Sequence, residues 1–215
     1  AKLAKGSDDE VLTLASGVPS WAAAGGSDFV RVATNTLGSA TTTWTLDNIF
    51  SATYNQYMVL INARTGDNNI DLFMRFLDNS GSAISASNYR GFNGGGESGP
   101  SSVNNTQYAA RWDDSSFKLV GAGGSMSSMG TPDAVNFQAT MYFYKPNEAT
   151  GYGARKSFYG HHWYNSNTDG RHMTGYCSGY YNDDDIQSRG LSIYSDTANA
   201  IGADSTILVY GLKHA

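Results

Sequence analysis

The chain is poor in the residues on which chemistry at a protein site usually depends. It has one cysteine, Cys177, so it can form neither an intrachain disulfide nor a thiolate zinc cage, and a buried, unreactive thiol is expected. Glu10, Glu97 and Glu148 are the only glutamates, and no spacing among the acidic residues marks a carboxylate pair set across a glycosidic bond. No G-x-S-x-G elbow accompanies the histidines, so no enzyme is expected. Lysine and arginine together number 14 against 19 acidic residues, a formal charge of −5. The cations are scattered rather than clustered, which argues against binding to a phosphate backbone. No run approaches the roughly 20 apolar residues that span a bilayer, so no membrane insertion is expected. No charged start followed by an apolar core marks a Sec leader either.

What is abundant belongs to strands and turns. There are 25 glycines and 14 tyrosines, with an aromatic share of 13%, a composition suited to short strands joined by small-residue turns. From Tyr57 to Arg64 the side chains alternate, with Tyr57, Val59, Ile61 and Ala63 on one face. Ile70, Leu72, Met74 and Phe76 repeat the pattern, and the intervening Thr65 to Asn69 is rich in turn residues, which predicts a β-hairpin with one buried side. Such a face can be hidden only against a second sheet.

Further strands are expected over Phe29 to Thr34, Thr41 to Leu46, Ser87 to Phe92, Tyr108 to Trp112, Phe117 to Val120, Val135 to Tyr144, Lys156 to Tyr164, His172 to Tyr181, Gly190 to Tyr194 and Thr206 to Leu212. Asn93 to Asn105 and Gly121 to Pro132 read as long polar loops. The fold class is therefore all-β, an antiparallel jelly-roll-like β-sandwich over residues 29–215, preceded by an N-terminal arm and linker over 1–28. In the arm, Val11 to Leu14 and Val18 to Trp21 suggest a strand-turn-strand unit too small to bury its own apolar residues.

The densest chemistry lies between Tyr152 and Asp185. It suits a sugar-binding surface of flat rings and polar groups, or a core in which alternation buries either Phe158, His162 and Tyr164 or else Tyr159, His161 and Trp163. A metal site is disfavoured, because the adjacent His161 and His162 point to opposite faces of a strand. Asp183 to Asp185 could help hold calcium, although an acidic turn is the commoner use and the EF-hand spacing is absent. Neither a metal nor another cofactor is expected.

Three stretches resemble tail-fibre and other virion structural proteins of tailed bacteriophages, particularly of marine and cyanobacterial phages. KGSDDEVLTLASGVPSW, Lys5 to Trp21, is similar to the GSDGQVLT-x-x-SGVPxWA segment found before fibre tip domains, with Asp9 and Glu10 where Gly-Gln is usual. IFSATYNQY, Ile49 to Tyr57, resembles the F-S-x-x-Y-x-x-Y lead into a central strand. ILVYGLK, Ile207 to Lys213, resembles the I-x-x-YGL/I close. The resemblance implies a homotrimeric β-sandwich on a virion, joined to other virion proteins through its arm. It would serve host attachment through a surface glycan or protein, or alternatively sit on the capsid as a decoration protein or head fibre. Its motifs are structural and carry over no ligand residues. On the attachment reading, the residues expected to bind are Trp163, His161, Tyr181, Arg171 and Asp184.

Overall fold

The computed structural model describes residues 6–7, 10–23, 28–64, 70–98, 103–120, 135–148, 155–165, 172–183, 186–196 and 198–212. Among them there is no helix. The first two strands, β1 (Glu10–Ala15) and β2 (Val18–Ala23), form a sheet of their own. Ser16 and Gly17 between them both have positive φ, 51° and 81°, the backbone sense of a tight two-residue hairpin turn. The hairpin expected in the arm is present, and it leaves Leu12, Leu14 and Val18 exposed.

The other twelve strands make two sheets. The larger has the order β3-β14-β5-β10-β11-β12-β7-β8, from β3 (Phe29–Thr36), β5 (Gln56–Arg64), β7 (Tyr89–Ser98), β8 (Val103–Asp114), β10 (Val135–Tyr144), β11 (Lys156–Asn165), β12 (His172–Tyr181) and β14 (Thr206–Leu212). The smaller is β4-β13-β6-β9, from β4 (Thr43–Leu46), β6 (Leu72–Leu77), β9 (Phe117–Lys118) and β13 (Gly190–Ser195). Every pairing is antiparallel.

The core fills the space between the sheets. Tyr57, Val59 and Ile61 of β5, Phe137, Met141 and Phe143 of β10, and Phe158 and Tyr164 of β11 are buried, as are Trp44, Leu72, Met74, Phe76, Leu191 and Ile193 of the smaller sheet. Rings bridge the layers: Phe76 meets Phe143 edge-on at 6.0 Å, and Phe117 meets Phe158 at 4.6 Å. The buried phenol of Tyr89 is satisfied on both sides. Tyr89 Oη accepts from the Phe76 amide at 3.1 Å and donates to the Ile84 carbonyl at 2.8 Å, which ties the chain after β6 to β7. At the surface Arg189 forks onto the Asp47 carboxylate and donates to the Asn79 carbonyl, holding three loops together.

Two expectations are corrected. Strands β5 and β6 have the predicted alternation, yet they do not pair as a hairpin: β5 lies between β14 and β10, while β6 lies between β13 and β9. Both apolar faces point into one core from opposite layers, which buries them as completely as pairing would. The turn expected over Thr65 to Asn69 lies outside the described residues. The segment Asn93 to Asn105, expected as a loop, instead supplies the end of β7 and the start of β8, with residues 99–102 lying outside the described residues. Glycine hid the strand pattern there. Gly95 lies across from Gly175, and a Cβ on Gly175 would sit 2.2 Å from the Gly94 carbonyl oxygen. The small residues thus serve close strand packing rather than looseness. The second expected loop, Gly121 to Pro132, lies outside the described residues.

Candidate functional site

In β11 the burial alternates strictly: Phe158, Gly160, His162 and Tyr164 face the core, while Tyr159, His161 and Trp163 face outward. In β12 the inward set is Met173, Cys177 and Tyr181, so Thr174 and Tyr176 face out. The registers β10–β11, β11–β12 and β12–β7 place the outward residues in rows across the sheet. One row is Tyr142, Tyr159, Ser178 and Phe92; the next is Thr140, His161, Tyr176 and Gly94; the third is Gln138, Trp163, Thr174 and Gly96.

These rows form an aromatic platform. Tyr142 and Tyr159 stack with centroids 5.2 Å apart and planes 20° from parallel. Phe92 and Tyr176 stack diagonally at 5.4 Å, Gly94 having no side chain to stand between them. Trp163 and His172 stack at 5.6 Å, and His172 Nδ1 donates to Asn165 Oδ1 at 2.6 Å. Mutual stacking limits the rotamers of these rings, yet Tyr159 remains 61% and Tyr176 52% exposed. Large, stiff rings exposed at low entropic cost are typical of recognition surfaces. Beside them lies an open depression of about 380 Å³, lined by Asn62, Gln138, Thr140, His161, Trp163 and Thr174. It offers hydroxyls and amides next to ring faces, the combination with which polar ligands are held and oriented.

The expected site residues divide. His161 and Trp163 stand together at the depression. Tyr181 does not: it is fully buried, packed at 4.7 Å against Tyr89, and burial raises its phenol pKa. Its odd-numbered place in β12, in phase with Met173 and Cys177, directs it into the core. Arg171 and Asp184 lie outside the described residues. Tyr159, Tyr176, Tyr142, Phe92, Gln138 and Asn62 were not singled out for binding; the phase of Met173 and Cys177, both apolar, was the available signal that Tyr176 faces outward.

Other chemistry is spent on structure. Among the described residues, no group of three or more His, Cys, Asp or Glu is placed to hold a metal ion. Cys177 is buried, and burial pushes its thiol up to about 12. A second depression, about 290 Å³ beside Tyr54, Asn55, Lys145 and Glu148, has its charges joined in a pair at 2.9 Å. Two of its amides are likewise engaged: Asn147 Nδ2 donates to the Ser188 carbonyl, and Gln187 Oε1 accepts from Asn79. Comparison with protein-family models, with curated proteins and with solved structures returned no match.

Proposed function

We propose that the chain is a non-enzymatic attachment module of a virion, the receptor-binding tip of a fibre, which meets a glycan or protein on the host surface through the outward face of its larger sheet. The observation that carries this reading is the set of three stacked aromatic pairs on the outward side of the larger sheet, Tyr142–Tyr159, Phe92–Tyr176 and Trp163–His172, in each of which one ring (Tyr159, Tyr176, His172) is exposed and the other half-buried. A monomeric structural domain gains nothing from keeping rings of that size wet, whereas a contact surface buries them on docking. The likeness of three sequence stretches to phage fibre proteins supplies the virion setting. On this reading the exposed hairpin of the arm joins three copies of the chain and anchors them to other virion proteins.

Competition is the test. Purified protein in excess should block adsorption of virions that carry it, and Tyr159→Ala with Tyr176→Ala should remove the block. Undiminished adsorption in the presence of saturating, folded protein rejects the attachment role. Immunogold labelling spread uniformly over the head would instead assign the chain to capsid decoration.

A further inference from the structure

We infer that the outward face of β10, β11, β12 and β7 takes a neutral glycan, gripping sugar rings on its aromatic pairs and their hydroxyls on the amides and hydroxyls of the depression. The inference rests on the attachment reading and names the class of receptor. Among the described residues, the three rows that make the platform contain no carboxylate, ammonium or guanidinium group, although 33 of the 215 residues of the chain are Lys, Arg, Asp or Glu (14 basic and 19 acidic). Described charges stand at its margins and are already engaged: Arg90, one row beyond Phe92 on the same face of β7 and opposite Tyr180, has an interaction of its own, Arg64 pairs with Asp204 at 3.1 Å, Lys145 with Glu148 at 2.9 Å, and Arg155 lies 5.3 Å from the centre of the Tyr180 ring.

An acidic sugar is poorly served by such a surface. Its carboxylate or sulfate would lie over ring faces that are themselves electron-rich, with no cation in the rows to receive it, on a chain of net charge −5. A neutral pyranose meets neither penalty. Its C–H face packs on a ring, and its hydroxyls both donate and accept, matching Asn62, Gln138, Thr140 and Thr174, whose side chains do the same. The run from Tyr159 to Trp163 along β11 extends about 13 Å at about 3.3 Å per residue, so the platform accommodates more than one sugar ring. Binding of this kind depends on contact rather than charge and persists in salt.

The intact chain would be run in affinity electrophoresis through gels containing neutral laminarin or dextran, and in parallel through gels containing alginate or heparin. Retardation is expected in a neutral polysaccharide at low and high sodium chloride alike, with none in the anionic ones. Gln138→Ala, and Tyr159→Ala with Tyr176→Ala, should each weaken retention by about tenfold or more while melting like the parent. Retention only by alginate or heparin, or retention lost on adding salt, overturns the inference and leaves the attachment reading intact. A protein that blocks virion adsorption yet is retained by no glycan overturns it equally. If the tyrosine variants break the oligomer into monomers, the face is a subunit interface and the inference falls; failure to block adsorption at all defeats the attachment reading itself.

Discussion

His161 and His162 are consecutive in β11 and occupy opposite sides of the sheet: the first is exposed beside Trp163, the second is 3% exposed with neither ring nitrogen hydrogen-bonded. His162 lies between the rings of Phe137 and Tyr164, at 6.5 and 5.8 Å. Burial, reinforced by the neighbouring His161, lowers its pKa from 6.5 to about 4. The folded state therefore binds this proton less readily than the unfolded one. The stability it contributes is present above pH 6.5 and is lost as pH falls toward 4, by about 3 kcal/mol in all. His162→Phe keeps the stacking and removes the titration. Thermal melts at pH 7.5 and pH 5 should show a smaller loss for the variant than for the parent, and equal losses would refute this role.

Tyr181 and Tyr159 should respond oppositely to truncation. Tyr181 is fully buried against Tyr89, so Tyr181→Ala should cost about 3–5 kcal/mol, as removal of buried aromatics does. Tyr159 is mostly in solvent, and Tyr159→Ala should cost under about 1 kcal/mol while weakening attachment. Urea unfolding of both variants, set beside adsorption, separates core from platform. A stable Tyr181→Ala would mean that the β12 faces are assigned the wrong way round.

Close contact between β12 and β7 depends on glycine. A methyl group at Gly175 would lie 2.2 Å from the Gly94 carbonyl oxygen and 3.0 Å from Gly95 Cα, so Gly175→Ala must spread the two strands. The expected cost is about 1–3 kcal/mol, seen as a lower melting temperature. The rise that usually follows stiffening of an unfolded chain would show that the strands are not in such close contact.

The hairpin of β1 and β2 exposes Leu14 at 73% and Val18 at 64%, more than an isolated two-stranded unit sustains comfortably in water. Light scattering on the intact chain should report about three times its 23.0 kDa. Deleting residues 1–28 should weaken the assembly while leaving the melting of the sandwich intact. A concentration-independent monomer before deletion would refute the trimer.

Much of the architecture was legible in period-two alternation, because a strand half buried in a sandwich must write its two faces into alternate residues. Hence Tyr57, Val59, Ile61 and Ala63, and Leu72, Met74 and Phe76, are legible in the sequence as buried faces, and the residues on either side of Ala15 to Gly17 mark the turn between them. Alternation says which residues share a face, and it does not say which strand lies alongside. For that reason β5 and β6 read as a hairpin although they belong to different sheets, and glycines at 94–96, which carry no side chain to alternate, read as a loop.

The site was divided in the same way. The sequence alone determined that aromatic and polar groups crowd the stretch from Tyr152 to Asp185, and that His161 and His162 must point apart. Only the tertiary structure decided which set is wet. The choice depends on where the smaller sheet lies: its Phe117 packs on Phe158 and its Phe76 on Tyr89, the neighbour of Tyr181, which turns His161, Trp163 and Tyr176 out to solvent. Contacts so distant in sequence are set by the burial of both sheets at once, a constraint that no local pattern in the chain records.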